Sequence, residues 1–268
     1  MKYPSALYFC KTKGEKYLIF LKNLARKIRR FFSKRGFACD NCGAEIFNYP
    51  AQRLCNVCAA ALKRNDEYYC QKCGRKGTDF GVCLNCKAHL PAFKRGFSPL
   101  VYKGGSSQIV NGLKNGKRQL AYFLGEEMAD NFLERCELDK ATAEILILPV
   151  PMTKEKERRR GYNQAAELAL VIGERLSELG WNAKTDLDVL EKRRETAQQK
   201  HLTYKERAEN ASSAYRVKKR AFCKDKTCLL VDDIMTTGAT GNACAKALYG
   251  AGAKCVYFLV AAASPERK

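Results

Sequence analysis

The chain has 268 residues, 46% of them hydrophobic and 29% charged. Those proportions suit a globular protein with a real core and exclude collagen-like and wholly disordered chains. Lys and Arg number 49 against 28 Asp and Glu, a formal net charge of +21; such a surface is either simply solvated or attracts nucleic acid, an anionic membrane face or a phosphorylated small molecule. The longest apolar run, Cys255–Ala263, is too short to span a bilayer. No small-residue cleavage site follows the short apolar stretch 17–21, so no secretory signal is read.

Four zones follow in order. Residues 1–37 hold eleven Lys/Arg and one acid, Glu15. Over 15–32 the apolar positions approximate one helical face, which predicts a basic amphipathic arm. Three uses stay open for it: packing on the rest of the protein, binding nucleic acid, or lying on an anionic membrane.

Residues 38–90 carry eight of the fourteen cysteines as four Cys-x-x-Cys pairs. Cys39-x-x-Cys42-Gly43 is repeated 31 residues later as Cys70-x-x-Cys73-Gly74, and each is followed by a second pair, Cys55/Cys58 or Cys83/Cys86. Tetrahedral thiolate zinc sites favour this spacing and disulfide frameworks do not. The expectation is two structural zinc ions, on Cys39, Cys42, Cys55, Cys58 and on Cys70, Cys73, Cys83, Cys86. Four thiolates leave no open position for catalysis. An interleaved pairing would keep the metals but break the repeat. Free thiols of this kind belong in a reducing cytoplasm.

Residues 91–142 read as a helical connector or hood, with a short strand at 97–102 and helices at 108–114 and 120–136. From 143 to 268 apolar strands alternate with amphipathic helices, which predicts an α/β unit with a mainly parallel sheet. Strands are expected at 145–150, 187–190, 213–217 and 227–231, with 256–262 closing the sheet, and helices at 163–179 and 238–249.

Chemistry concentrates at 228–241, CLLVDDIMTTGATG. A buried strand ends in two carboxylates, Asp232 and Asp233. The turn Thr236, Thr237, Gly238, Ala239, Thr240 then opens a helix, whose amides and dipole suit a phosphate. Carboxylates at the end of a parallel strand can accept hydrogen bonds from ribose hydroxyls. A strand ending in a capped turn is the plain alternative.

LLVDDIMTTGAT resembles the phosphoribosyl-pyrophosphate (PRPP) motif of type I phosphoribosyltransferases. That resemblance implies that Asp232 and Asp233 contact the ribose and that 236–240 hold the 5-phosphate. Together with Pro149-Val-Pro151, Arg160-Gly-Tyr-Asn-Gln164 and Arg193-Arg-Glu-Thr196-Ala-Gln-Gln199, followed by Arg207 and Asn210, it is similar to the ComF family of bacterial competence proteins. The implied fold class is α/β: a type I phosphoribosyltransferase-like parallel sheet flanked by helices, with a small N-terminal zinc-ribbon domain. By the same resemblance, the loop 152–160 cups pyrophosphate with Lys154, Lys156, Arg158, Arg159, Arg160 and Gly161. Arg193, Arg194, Thr196, Gln199 and Arg207 take the place of the mobile loop. A solvated face or a DNA-backbone contact stays open for both basic segments.

Two functions follow as expectations. One is Mg²⁺-dependent transfer of phosphoribosyl from PRPP to an unknown acceptor, linked to DNA uptake. The other is a non-catalytic single-stranded DNA-binding competence factor regulated by PRPP or a nucleotide. Tyr68, Tyr69, Phe93 and Phe97 are stacking candidates for the second, or else core residues. No general base is evident, since His89 follows the cysteine zone and His201 sits in the mobile-loop segment. The expected location is cytoplasmic, with peripheral contact to the inner face of the membrane or the uptake machinery left open.

Overall fold

A computed structural model describes residues 37–77, 81–192 and 214–265. The basic arm and most of the mobile-loop segment, with Arg193, Arg194, Thr196, Gln199, His201 and Arg207, lie outside the described residues. In chain order the elements are α1 (Asn56–Ala60), α2 (Leu84–Ala88), β1 (Arg95–Phe97), β2 (Leu100–Val101), α3 (Gly105–Lys114), α4 (Leu120–Arg135), β3 (Ile145–Pro149) and α5 (Lys154–Arg160). They continue with α6 (Gln164–Glu178), β4 (Ala183–Thr185), β5 (Leu190–Lys192), β6 (Tyr215–Val217), α7 (Arg220–Cys223), β7 (Thr227–Met235), α8 (Ala239–Tyr249) and β8 (Cys255–Ala263).

The main sheet is parallel, in the order β1-β8-β7-β3-β4, with β2 also pairing β8. Parallel sheets bury both faces, so their strands read as continuous apolar runs, as β3, β7 and β8 do. One face carries Ile145, Ile147, Leu229, Val231 and Leu259 against α3, α4 and α6. The other carries Leu146, Leu148, Leu230, Val256 and Phe258 against α8 and the β5–β6 pair. α6 begins where Asn163 Oδ1 accepts from Ala165 N at 3.0 Å. Its buried stripe is Ala165, Leu168, Ala169, Ile172 and Leu176, the spacing of one helical face.

Four expectations are corrected. The strand expected at 97–102 is two pieces that flank Pro99, which has no N–H for a ladder. Both pieces pair outside β8, so β8 lies inside the sheet and does not close it. The strand expected at 187–190 is replaced by β4 and β5, because Asp186 makes a turn by accepting from Asp188 N at 2.9 Å. β5 and β6 form their own antiparallel pair, away from the main sheet. The loop expected at 152–160 contains the helix α5. Thr153 caps it, Glu155 and Glu157 occupy its first turn, Arg158, Arg159 and Arg160 its last, and Gly161 ends it at φ 84°. That charge order complements the helix dipole.

The cysteine zone folds as two copies of one turn. Cys39 N bonds Ala44 O and Gly43 N bonds Cys39 O; 31 residues on, Cys70 N bonds Arg75 O and Gly74 N bonds Cys70 O. The first copy docks on α4. Its buried Arg53 lies 3.5 Å from Asp40 and 4.6 Å above the Tyr122 ring. Burial raises the Asp40 carboxyl to about 6 although Arg53 opposes the shift. The second copy docks on β1 through Gly96 N and Lys72 O, 2.8 Å apart. None of the helices among the described residues is long and apolar enough to cross a membrane.

Candidate functional site

β3 and β7 lie side by side, but the chain leaves β3 toward β4 and leaves β7 toward β8 on the opposite side. Such a parting opens a crevice beyond the strands' carboxyl ends, where open α/β sheets bind ligands. β3 pairs only as far as Pro149↔Val231. Asp232 and Asp233 therefore stand just past the end of β3, on the crevice wall. A cavity of about 260 Å³ opens there, lined by both carboxylates, Lys114, Lys156, Arg160, Lys192, Tyr215 and Thr240.

The two carboxylates diverge, because successive strand residues point to opposite faces. Asp233 faces α3, where Lys114 Nζ lies 3.3 Å from its Oδ2. That oxygen is buried and has no aligned hydrogen-bond donor among the described residues. Asp232 lies toward α8, where burial and then the Asp232 charge raise the Cys244 thiol, and Asp232 Oδ1 accepts from Asp233 N at 2.8 Å. Burial, and then the charge of Asp233, pushes the Asp232 carboxyl up to about 8. Burial likewise holds the Tyr215 phenol up at about 12, so it stays a donor.

The predicted cations separate on the surface of α5. Lys156 and Arg160, one helical turn apart, both line the carboxylate cavity. Arg159 lines an adjoining cavity of about 430 Å³, shared with Lys114, Lys156 and Arg160. Lys154 and Arg158 line neither. Lys114 and Tyr215 carried no local signal in the sequence; only the packing of α3 and β6 delivers them.

The turn 236–240 is also divided. Thr240 faces the carboxylate cavity, whereas Thr237, Gly238 and Ala239 line a larger one of about 460 Å³ between α8 and the second cysteine copy. Gly238 stands at φ 82° as the helix cap, a conformation that favours glycine, and Ala239 N donates to Thr237 Oγ1 at 3.3 Å. Thr236 is exposed, and its carbonyl accepts from Arg75. His89 lines the same larger cavity.

The cysteines gather as the repeat predicts. Cys39, Cys42, Cys55 and Cys58 form one group and Cys70, Cys73, Cys83 and Cys86 another, with all sulfurs of a group within 4.8 Å of one another. The Cys42–Cys55 and Cys73–Cys83 sulfurs are 3.6 and 3.8 Å apart. Zinc with bonds of about 2.3 Å sets tetrahedral sulfurs at about 3.8 Å, so the donors fit that ion. Cys73 N and Cys83 N point at Cys70 Sγ at 3.4 and 3.3 Å, and Asn41 Nδ2 at Cys58 Sγ at 3.3 Å. Such donors stabilise thiolate and orient the ligands. The two groups fit two structural metal sites of Cys₄ type.

Residues 158–268 match the family model of the phosphoribosyl transferase domain. The DNA utilization protein YhgH of Escherichia coli (strain K12) is 26% identical over 205 residues, covering 76% of this chain and 87% of that protein. Competence protein F of Haemophilus influenzae is 28% identical, covering 78% and 83%. The chain is thus similar to competence proteins over about three quarters of its length. Competence protein ComFC of Bacillus subtilis is 22% identical, covering 76% and 80%. In this chain β3 precedes the matched segment, yet it supplies one wall of the crevice.

Proposed function

We propose that the chain binds PRPP, or a nucleoside monophosphate, and transfers the phosphoribosyl group to an acceptor in the service of DNA uptake. One observation carries this: two carboxylates beside four cationic side chains at the parting of two parallel strands, within a phosphoribosyl transferase domain. Asp232 and Asp233 accept from the ribose hydroxyls, and the 236–240 turn holds the 5-phosphate on the α8 amides. Lys114, Lys156, Arg160 and Lys192 supply the charge that a departing pyrophosphate needs. Mg²⁺, held by the carboxylates and the ligand's own phosphates, would neutralise that leaving group. In this reading residues 143–268 form the transferase unit, 91–142 its hood and 38–90 a double zinc ribbon. Calorimetry with PRPP and Mg²⁺ tests it. Changing both Asp232→Ala and Asp233→Ala removes charged hydrogen bonds worth about 1.5–3 kcal/mol each, so binding heat should vanish. Unchanged heat would sink the reading.

A second reading is single-stranded DNA binding, which the names of the relatives and the cationic cavity of Lys114, Lys156, Arg159 and Arg160 favour. The stacking candidates narrow for it. Phe93 and Phe97 are core residues, and Arg135 covers the Tyr69 ring at 3.8 Å. Tyr68 is 41% exposed. Either reading places the chain in the cytoplasm, at most peripheral to an anionic membrane.

A further inference from the structure

We propose that Arg75, carried by the second cysteine copy, is a positioning residue for the phosphate turn, so that phosphate affinity depends on the second metal group. This rests on the phosphoribosyl reading above. Arg75 follows Cys73-Gly74 directly, and its backbone carbonyl closes the turn around Cys70. Its side chain leaves the ribbon altogether. Nη2 donates to Thr236 O and Nη1 to Pro265 O at 3.3 Å. Those carbonyls follow the carboxyl ends of β7 and β8, so one guanidinium fastens both strand ends to the ribbon.

The ribbon itself is held rigidly enough to act as the anchor. A Cβ on Gly96 would lie 2.4 Å from Cys73 O, so ribbon and β1 meet backbone to backbone. Asn65 Nδ2 bonds both Gly74 O at 2.7 Å and Ser98 O at 2.9 Å, spanning the same seam. The first copy of the repeat has Ala44 where the second has Arg75, so the repeat geometry does not require arginine there.

Charge strengthens the case. Arg75 is 5% exposed, its Nε has no hydrogen-bond partner, and no carboxylate pairs with it among the described residues. Its two partners are neutral carbonyls, which offset none of the guanidinium's charge. It lines the 460 Å³ cavity beside Thr237, Gly238 and Ala239, at the N-terminal end of α8. There it adds to the dipole's attraction for an anion while fixing the turn that receives it.

The test uses the full metal-loaded chain. Backbone-amide hydrogen exchange over 236–242 reads the tie without any ligand, and PRPP calorimetry reads its consequence. In Arg75→Ala, exchange should quicken there and PRPP affinity should fall at least tenfold, with two metals retained per chain. Arg75→Lys keeps the charge but cannot serve two carbonyls with one fork, so it should restore affinity only in part; it also carries the test if the alanine variant does not fold. Cys86→Ser should quicken exchange over 236–242, and Cys58→Ser should not. Unchanged exchange in Arg75→Ala, or full rescue by lysine, overturns the tie; unchanged exchange in Cys86→Ser overturns the metal coupling. Wild-type protein that binds no PRPP defeats the phosphoribosyl reading, while the exchange data still decide whether Arg75 holds the turn.

Discussion

Lys114 closes α3 and Asp233 lies in β7, yet Lys114 Nζ stands 3.3 Å from Asp233 Oδ2. The carboxylate is nearly sealed from solvent, so this ammonium is its counter-charge before any ligand arrives. Removing one partner of a buried pair strands the other. Since Lys114 itself is about one-quarter exposed, solvent screens part of the cost. Lys114→Ala should therefore lower unfolding free energy by about 1–2 kcal/mol in urea titrations. Pairing it with Asp233→Asn should recover most of that loss, and a simple sum of two losses would contradict the ion pair.

The pH behaviour follows from Asp232. Its carboxyl is raised from 3.8 to about 8, by burial first and then by the charge of Asp233. The folded state thus holds a proton that the unfolded chain has released. This group's contribution to stability therefore falls as pH rises from about 4 to about 8. If the site takes PRPP as proposed, ligand binding runs the other way, because ribose hydroxyls and Mg²⁺ would need the ionised form. PRPP affinity should climb between pH 6 and 8, by up to about tenfold per unit, with uptake of a proton by the buffer. Calorimetry in buffers of different ionisation heat checks this, and a flat profile would count against it.

Metal analysis of freshly reduced protein should give two zinc ions per chain. Cys42→Ser should leave one and loosen only the first copy, seen as faster amide exchange over 38–60. Thiolate binding supplies folding free energy to a segment with so small an apolar core. A single ion in the wild-type chain would refute the paired Cys₄ arrangement.

The seam between ribbon and sheet can be probed sterically. Gly96→Ala places a methyl against the Cys73 carbonyl, and such overpacking costs about 1–3 kcal/mol. Gly43→Ala meets nothing within 4 Å and suffers only its positive φ, about 1–2 kcal/mol. Thermal unfolding should show both losses. Only Gly96→Ala should also free the amides of 70–76 to exchange.

If single-stranded DNA follows the α5 cations, binding weakens with salt through counterion release. Each lost phosphate contact should reduce the slope of log affinity against log salt by about 0.7. Changing both Lys156→Ala and Arg159→Ala should therefore flatten it by about 1.4. An unaltered slope would move the DNA contact elsewhere on the chain.

Features that rest on local spacing are legible in the amino-acid order alone. The cysteine repeat foretold both Cys₄ groups, because ligands with two residues between them must share one turn. The run before Asp232 foretold a buried parallel strand, and the Thr-Thr-Gly turn foretold a helix start. α5 was missed where its charges were read as ligands, although Thr153 and the order of acids before bases held the helix signal. Tertiary structure decided the rest. It set Asp232 and Asp233 on opposite faces, brought Lys114 and Tyr215 to them, divided 236–240 between two cavities, and carried Arg75 from a ribbon to the end of β7. Contacts of that kind join segments far apart in the chain, and no local periodicity encodes them; they exist only once both faces of the sheet are packed.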